Sequence, residues 1–367
     1  MIRIIICFLL FSFKLGAFSV TNLNWPHIET QWIKDDELPL FTIVVAYEDG
    51  ALKDSQDKLG LTNLMFSSIF DGTSKLNQQE IAAQLNYWGA TITPQVTKDR
   101  SYIFISGLAK DATDITKFYC HLMNEASFPE LELKNSVIRL KSSLQNITAD
   151  SPGLSFRAWE YINNLNNGEN LFLSGTLKTL DSIKQADLFL NKNYFLKEVK
   201  KKIYLHGPAS LLNLKTIIGN DCQFPANKSL YSRRVSEVKS SNQSSGVYFL
   251  AQENVNQAQI RMGTSKINSE KINETDVDFL MNYLGQGFSS MLMKELRTKR
   301  GLVYGAGSKV SFDAKNFGSI IATSTRTEKV SETLQVINTI VANLQQTEVS
   351  PIEIESRKDK MSVLRSF

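Results

Sequence analysis

The segment that decides the fold is Gly60–Thr73, which reads GLTNLMFSSIFDGT. Its apolar side chains recur at helical spacing, and they are Leu61, Leu64, Met65, Phe66 and Ile69. The segment therefore predicts a helix with one apolar face. It follows the β-branched run PLFTIVVAY at Pro39–Tyr47, which predicts a strand that is closed by a turn at Glu48–Gly50.

The rest of the first half mixes helices and strands, which indicates an α+β fold. We predict helices over residues 77–88 and 111–126, and a third over 129–146 that Pro129 opens. A β-rich stretch is expected over 91–107, and a strand over 201–206 follows two further helices.

A polar segment separates the two halves, because residues 225–246 contain SRRVSEVKSSNQSSG and predict a linker. The second half then repeats the pattern of the first. It predicts strands over 247–251 and 257–265, helices over 275–284 and 288–299, a β-rich run over 303–325 and a helix over 329–345. The segment from Phe128 (FPELELKNSVIRLKSSL) also parallels the one from Val349 (VSPIEIESRKDKMSVLRSF), with Pro129 matching Pro351.

This repeat predicts two homologous α/β domains, each a sheet packed with helices, at residues 20–224 and 247–367. In the alignment of the two prolines, Phe367 matches Gln145. The first domain continues from there to Phe224, whereas the second has no equivalent stretch in this sequence. We therefore expect the second domain to be C-terminally truncated, either because the product is truncated or because the missing part is supplied elsewhere.

The N-terminus, residues 1–19, has the pattern of a secretory signal peptide. A basic start precedes the apolar run Ile4–Phe13, and Ala17-Phe18-Ser19 fits a cleavage site. The apolar run is too short for an uncleaved membrane anchor. Cleavage lowers the basic residues from 41 to 39 against 37 acidic ones, and this balance gives no support to nucleic-acid or membrane-surface binding. We expect a periplasmic or secreted protein without a stable membrane anchor.

Four segments resemble the pitrilysin/insulinase family of zinc metallopeptidases, in the order in which that family has them. They are DGALKDSQDKLGL at 49–61, the 60–73 segment, WGATITPQVTKDRSYIFISGL at 88–108 and LGQGFSSMLMKELRTKRGLVYGAGS at 284–308. The resemblance covers nearly the whole mature chain. It implies two related α/β domains, and four such domains enclose a chamber in which a short unfolded polypeptide is cleaved.

In that family the equivalent of the 60–73 segment carries the zinc motif H-x-x-E-H. The three chemical positions of the motif here hold Asn63, Phe66 and Ser67. The family's third ligand, a glutamate further along the chain, falls on Leu144. Zinc requires imidazole, thiolate or carboxylate ligands, and the peptidase requires a carboxylate that activates water. We therefore predict no metal and no cofactor in this chain.

The second half of the chain, by contrast, keeps the functional residues that the resemblance implies for it. The family's C-terminal domain provides an arginine and, seven residues later, a tyrosine, which Arg297 and Tyr304 match. The resemblance implies that this pair faces the zinc site of an opposing domain, positions the substrate backbone and stabilises charge on the scissile carbonyl. Without the resemblance, a helix-end cation and a half-buried strand aromatic are the simpler interpretation. Gly301 is predicted to end the helix.

Two cysteines, Cys120 and Cys222, remain after signal cleavage. Two cysteines do not make a disulfide framework, and we expect two unrelated buried thiols, although pairing is open in an oxidising compartment.

These patterns predict a non-catalytic subunit of a heterodimeric zinc metallopeptidase. Its partner would be a homologous subunit that bears the zinc motif and the zinc, and the substrate would be a peptide held partly by edge-strand addition. An inert scaffold or peptide-binding pseudo-peptidase is the alternative, and a truncated, non-functional product is a third. The Arg297–Tyr304 pair distinguishes them, because a scaffold has no need of both residues.

Overall fold

The computed structural model describes residues 20–23, 25, 28–164, 173–222, 224, 246–268, 273–312, 316–346, 348–349, 351 and 354–355. The strands are β1 (Val20–Leu23), β2 (Glu29–Lys34), β3 (Leu40–Tyr47), β4 (Thr91–Val96), β5 (Ser101–Leu108), β6 (Lys201–Gly207), β7 (Gln257–Asn268), β8 (Val303–Phe312) and β9 (Asn316–Arg326). The α-helices are α1 (Leu61–Ser68), α2 (Gln78–Trp88), α3 (Ala112–Glu125), α4 (Glu130–Ala149), α5 (Ser151–Asn164), α6 (Leu177–Ser182), α7 (Gln185–Lys197), α8 (Leu214–Asn220), α9 (Glu274–Gly285) and α10 (Val330–Gln346). A π-helical segment spans Met293–Thr298. The predicted α+β class is confirmed.

Contacts divide the chain into two compact units. The first comprises Met1–Val137 and Thr179–Arg233, and the second comprises Ile138–Lys178 and Arg234–Phe367. The stretch 138–178 therefore packs with the second half of the chain. Within the second unit, Arg261 of β7 donates to the carbonyl of Pro152 at the start of α5. The domain boundaries read from the sequence, at 224 and 247, stay a prediction.

The first unit contains a six-stranded sheet in the order β1-β2-β6-β3-β5-β4. Only the β2–β6 pair is parallel among the pairs described. Alternate residues of the central strands are fully buried, and they include Phe41, Ile43, Val45, Ile103, Ile105, Ile203 and Leu205. Each such side chain contributes about 1.5–3 kcal/mol on burial, so one face of the sheet carries the core of this unit.

The second unit contains a three-stranded antiparallel sheet in the order β7-β9-β8. Its core joins α9, the π-helical segment, α10 and the sheet through Met281, Leu284, Leu292, Leu296, Leu302, Val303, Ile321, Ile337 and Ile340. The strands β3, β4 and β5 of the first unit correspond to β7, β8 and β9 of the second. Two longer helical segments lie between the first and second strand of each set, α1 and α2 in one and α9 and the π-helical segment in the other, and a helix follows the third strand. In both, the third strand pairs with the first and the second, so the predicted repeat is visible in the topology.

Cys120 and Cys222 form a disulfide, which corrects the expectation of two unrelated thiols. Cys120 lies near the end of α3 and Cys222 just after α8, with the two Cα atoms 4.4 Å apart. The residues are 102 positions apart in sequence, and the packing of α3 against α8 brings them together. A spacing of this size carries no sequence signature, which is why the pairing was missed.

A second expectation is also wrong, because residues 247–251 are not a strand. Val247 and Phe249 are almost fully exposed. The predicted signal peptide (1–19), the linker as far as residue 245 and most of the C-terminal segment used for the repeat lie outside the described residues. Within the described part of the chain, no helix combines the length and apolar character that a membrane crossing requires.

Candidate functional site

Helix α1 contains the three positions that correspond to the zinc motif. Asn63 is half-buried and Ser67 is exposed, one helical turn apart. The Ser67 hydroxyl donates to the carbonyl oxygen of Leu64 at 3.0 Å, within its own helix. An amide and a hydroxyl at this spacing form a polar surface strip, and neither is a zinc ligand of the kind that peptidases use.

Phe66, at the position of the catalytic carboxylate, is 1% exposed and lies in an aromatic cluster. Its ring centroid lies 5.5 Å from that of Tyr47 and 5.0 Å from that of Phe195, in edge-to-face geometry. The Tyr47 hydroxyl lies 3.4 Å from that of Tyr119, and burial raises the pKa of Tyr47 well above its ordinary value. A carboxylate at position 66 would therefore be buried in an apolar environment.

The N-terminus of α1 is fixed by Asp54, which accepts hydrogen bonds from the backbone N–H groups of Gly60 and Thr62 and from the Thr62 hydroxyl. Asn191 of α7 donates to the same hydroxyl at 3.3 Å. Burial raises the pKa of Asp54 to about 6, against the hydrogen bonds from Thr62 that lower it. This network of hydrogen bonds caps the N-terminus of α1.

Leu144 lies on α4, in the stretch that belongs to the second unit, and is buried. An amide, a phenyl ring, a hydroxyl and a leucine do not fit zinc. Within the described ranges, no group of three or more His, Cys, Asp or Glu residues is placed to hold a metal ion. No catalytic step can therefore be assigned to zinc at these four positions.

The structure brings the side chains of Arg297 and Tyr304 together. The guanidinium carbon of Arg297 lies 5.0 Å from the centroid of the Tyr304 ring, which is within cation–π range. Tyr304 is 83% exposed, whereas Arg297 is half-buried. Gly301 has φ of 59° and ends the helical segment between them, as predicted.

Both residues stand where the backbone departs from regular structure. Arg297 lies in the π-helical segment, whose last turn is closed by a bond from the Lys299 N–H to the Lys294 carbonyl. The three steps from Val303 to Ala306 in β8 face only two steps of β9, so Tyr304 and Gly305 form a bulge. Such bulges re-aim side chains, and both kinds of irregularity are frequent at functional sites.

The first unit offers a comparison within the same chain. Gly89 ends α2 with φ of 59°, as Gly301 does, and each glycine stands two residues before a strand. The positions equivalent to Arg297 and Tyr304 are Leu85 and Ile92, on a regular α-helix and in an unshifted β-pairing. The repeat therefore forms without an arginine, a tyrosine or either irregularity.

Arg297 has no carboxylate partner among the residues that the structure describes. The nearby Glu295 is paired with Lys299 at 2.6 Å and with Arg300 at 2.5 Å. Hydrogen bonds from Lys299 and then from Arg300 hold the pKa of Glu295 below its ordinary value. The carboxylate of Glu295 is thus engaged by Lys299 and Arg300 rather than by Arg297.

Sequence reasoning missed a third residue of this site, Phe288. Its ring centroid lies 5.3 Å from the guanidinium carbon of Arg297, and it is 78% exposed. An aromatic residue in a glycine- and serine-rich loop gives no periodic signal, so nothing in the pattern of the sequence marked it.

Comparisons with known proteins bear on the family and the fold of this chain. Residues 224–361 match the family model described as the peptidase M16 inactive domain. The chain is similar in structure to a peptidase M16 inactive domain from Pseudomonas fluorescens, with 18% identity and a TM-score of 0.77, covering 94% of this chain and 83% of that one. It is also similar to a protease from Helicobacter pylori, with 15% identity and a TM-score of 0.80 over 94% and 84% of the two chains.

The first half of the periplasmic protease PqqL from Escherichia coli is a further neighbour, with 14% identity and a TM-score of 0.65 over 94% and 76% of the chains. A search of curated proteins finds no significant match. The chain has the M16 peptidase fold, and its residues 224–361 belong to the M16 inactive-domain family. The predicted relationship to the pitrilysin/insulinase (M16) family is thereby confirmed.

Proposed function

We propose that this chain is the non-catalytic subunit of a heterodimeric zinc metallopeptidase. In this account a homologous partner carries the zinc motif and the zinc, and this chain supplies Arg297, Tyr304 and part of the wall of the peptide-binding chamber. The peptide substrate is bound in extended form, partly by addition to an edge strand.

The observation that carries the proposal is the Arg297–Tyr304 pair. Its residues lie 5.0 Å apart on two backbone irregularities, and the equivalent positions of the first unit have neither. A helix-end cation that serves stability alone is expected to find a carboxylate or a helix carbonyl. Arg297 instead contacts exposed aromatic rings, which favours a role in ligand binding.

The chemistry follows from the donors. A guanidinium presents five N–H groups and a phenol presents one O–H. Both types of donor stabilise the negative charge that develops on a carbonyl oxygen when water attacks a peptide bond. The partner's zinc would supply the activated water, a task for which α1 of this chain has no suitable side chain.

A periplasmic or secreted location belongs to the same proposal. The buried Cys120–Cys222 disulfide is of a kind that forms and persists in oxidising compartments. One structural neighbour is described as a periplasmic protease, which agrees with the signal-like N-terminus.

The test is reconstitution with a homologous subunit that bears the zinc motif, assayed on fluorescent unfolded casein. Arg297→Ala and Tyr304→Phe are expected to lower kcat about 100-fold or more, because each removes a donor group that stabilises the developing charge. Tyr87→Phe, at an equally exposed tyrosine of α2, is the matched control. Assembly should be unchanged in all variants. Full activity of the two site variants would favour the scaffold alternative.

A further inference from the structure

Phe288 lies on the short loop that joins α9 to the next helical turn. Its ring is 78% exposed, and yet it approaches the guanidinium carbon of Arg297 to 5.3 Å. Arg297 therefore contacts two exposed aromatic rings, those of Phe288 and Tyr304. We call these three residues the aromatic–arginine cluster.

The loop that carries Phe288 is fixed to the sheet. Gly285 packs so closely on Ser308 of β8 that a Cβ at Gly285 would lie 2.3 Å from the Ser308 backbone nitrogen. The Ser308 hydroxyl donates to the carbonyl of Met281 at 2.6 Å, which ties α9 to the same strand. Gly287 then turns the chain with φ of 76°, a conformation that favours glycine.

The far side of the loop is fixed as well. The backbone N–H of Ser290 donates to the Gly287 carbonyl at 3.1 Å, and the buried Ser290 hydroxyl lies 3.4 Å from the Met293 backbone nitrogen, which donates to it. The exposed ring of Phe288 thus stands on a braced backbone. A large exposed apolar ring in such a place has no part in the core of the unit.

We propose that Phe288 is a positioning residue for Arg297. The inference rests on the proposed function and deepens it. The ring of Phe288 holds the guanidinium of Arg297 through a cation–π interaction. The ring of Tyr304, which lies in the bulge of β8, makes a second such interaction. Because the Arg297 side chain is already held in place, it loses less conformational entropy when it binds a peptide carbonyl.

The positioning is tested first on the isolated chain, by NMR of a sample labelled at arginine. The Arg297 side-chain signals, assigned by their loss in Arg297→Lys, are expected at ring-current-shifted positions. Phe288→Ala should move them toward the values of a free arginine, and Phe288→Tyr should not. Phe288→Leu keeps the apolar volume without the ring and should act like the alanine variant. Unchanged signals in Phe288→Ala would overturn the inference and leave the proposed function untouched.

The consequence is tested in the reconstituted peptidase with fluorescent casein. Phe288→Ala is expected to lower kcat/KM about 2- to 10-fold, and Phe288→Tyr to restore it. In an Arg297→Ala background the Phe288→Ala change should have no further effect on kcat, because the residue acts through Arg297. An equal loss in both backgrounds would contradict the positioning role. If Arg297→Ala did not lower kcat, the proposed function itself would be wrong. That outcome differs from the one that contradicts only the role of Phe288.

Discussion

The backbone N–H of Ala306 donates to the sulfur of Met293 at 3.3 Å. Met293 is the first residue of the π-helical segment, and Ala306 is the first regularly paired residue after the bulge in β8. One hydrogen bond therefore joins the two irregularities that carry Arg297 and Tyr304. The Thr323 hydroxyl donates to the Gly305 carbonyl at 2.7 Å, which satisfies a second group of the bulge.

The link between the irregularities predicts an effect of Met293→Leu. The substitution keeps the volume and removes the acceptor, so the free energy of unfolding should fall by about 1 kcal/mol. Turnover in the reconstituted peptidase should fall several-fold as well, since the bulge at Tyr304 loses its anchor. Met281→Leu is the matched control, because Met281 is about as buried as Met293. Urea unfolding and casein hydrolysis measure the two effects, and equal behaviour of the two variants would refute the link.

Asp54 predicts a pH dependence of stability. Its pKa in the folded protein is about 6, above the ordinary 3.8, so the folded state holds the proton more tightly. The stability from this group is complete below about pH 4 and is lost as the pH rises through 6. A difference of about two in the pKa corresponds to a decrease of up to about 3 kcal/mol in the free energy of unfolding.

The measurement is urea unfolding at pH values from 4 to 7. Asp54→Asn should flatten the decline, because asparagine keeps an acceptor oxygen and has no proton to lose. Asp57→Asn, at an exposed carboxylate in the same loop, should leave the decline as in the wild type. A stability that rises between pH 4 and 6 in the wild type but not in Asp54→Asn would contradict the assignment.

The degenerate zinc motif predicts unequal effects of restoring its residues. Phe66→Glu places a charge in the cluster of Tyr47 and Phe195 and should cost about 3 kcal/mol or more. Asn63→His and Ser67→His, on the accessible face of α1, should each change the unfolding free energy by about 1 kcal/mol or less. Chemical denaturation measures the free energy of unfolding of the three variants. A Phe66→Glu protein as stable as the wild type would show that the aromatic cluster is not formed.

The disulfide predicts a large loss of stability on reduction. A cross-link between residues 102 positions apart stabilises the folded state by about 4–5 kcal/mol in the chain-entropy model. The double variant Cys120→Ala, Cys222→Ala should therefore unfold at much lower urea concentration, and a reducing agent should no longer affect it. Mass spectrometry of the wild type should find the pair oxidised. Free thiols in protein from an oxidising compartment would count against the bond.

The sequence predicted the parts of this molecule that follow from local patterns. The helix at Leu61–Ser68, the strand at Leu40–Tyr47 and the ending of the helical segment at Gly301 are all confirmed, because periodicity and glycine conformation are encoded over a few residues. The resemblance marked Arg297 and Tyr304, and the structure brings them within 5.0 Å.

Most of the features that the sequence did not show depend on packing between residues that are far apart in the chain. The disulfide joins distant helices, and the stretch containing α5 packs on β7 of the second unit across about a hundred intervening residues. Val247 and Phe249 have the composition of a strand, but the pairing that would make them one is absent from the described residues. The π-helical segment and the bulge are local departures from regular backbone hydrogen bonding, and the periodicity of the sequence does not mark them.

The most direct test of the central claim is a titration of this chain into its zinc-bearing homologue, with the initial rate of fluorescent-casein hydrolysis as the measurement. The zinc chain alone is expected to be nearly inactive, and the rate is expected to rise to saturation at one equivalent of this chain. The Arg297→Ala chain should bind equally well and restore little of the rate. A zinc chain that is fully active alone, or that is activated equally by the Arg297→Ala chain, would contradict the account.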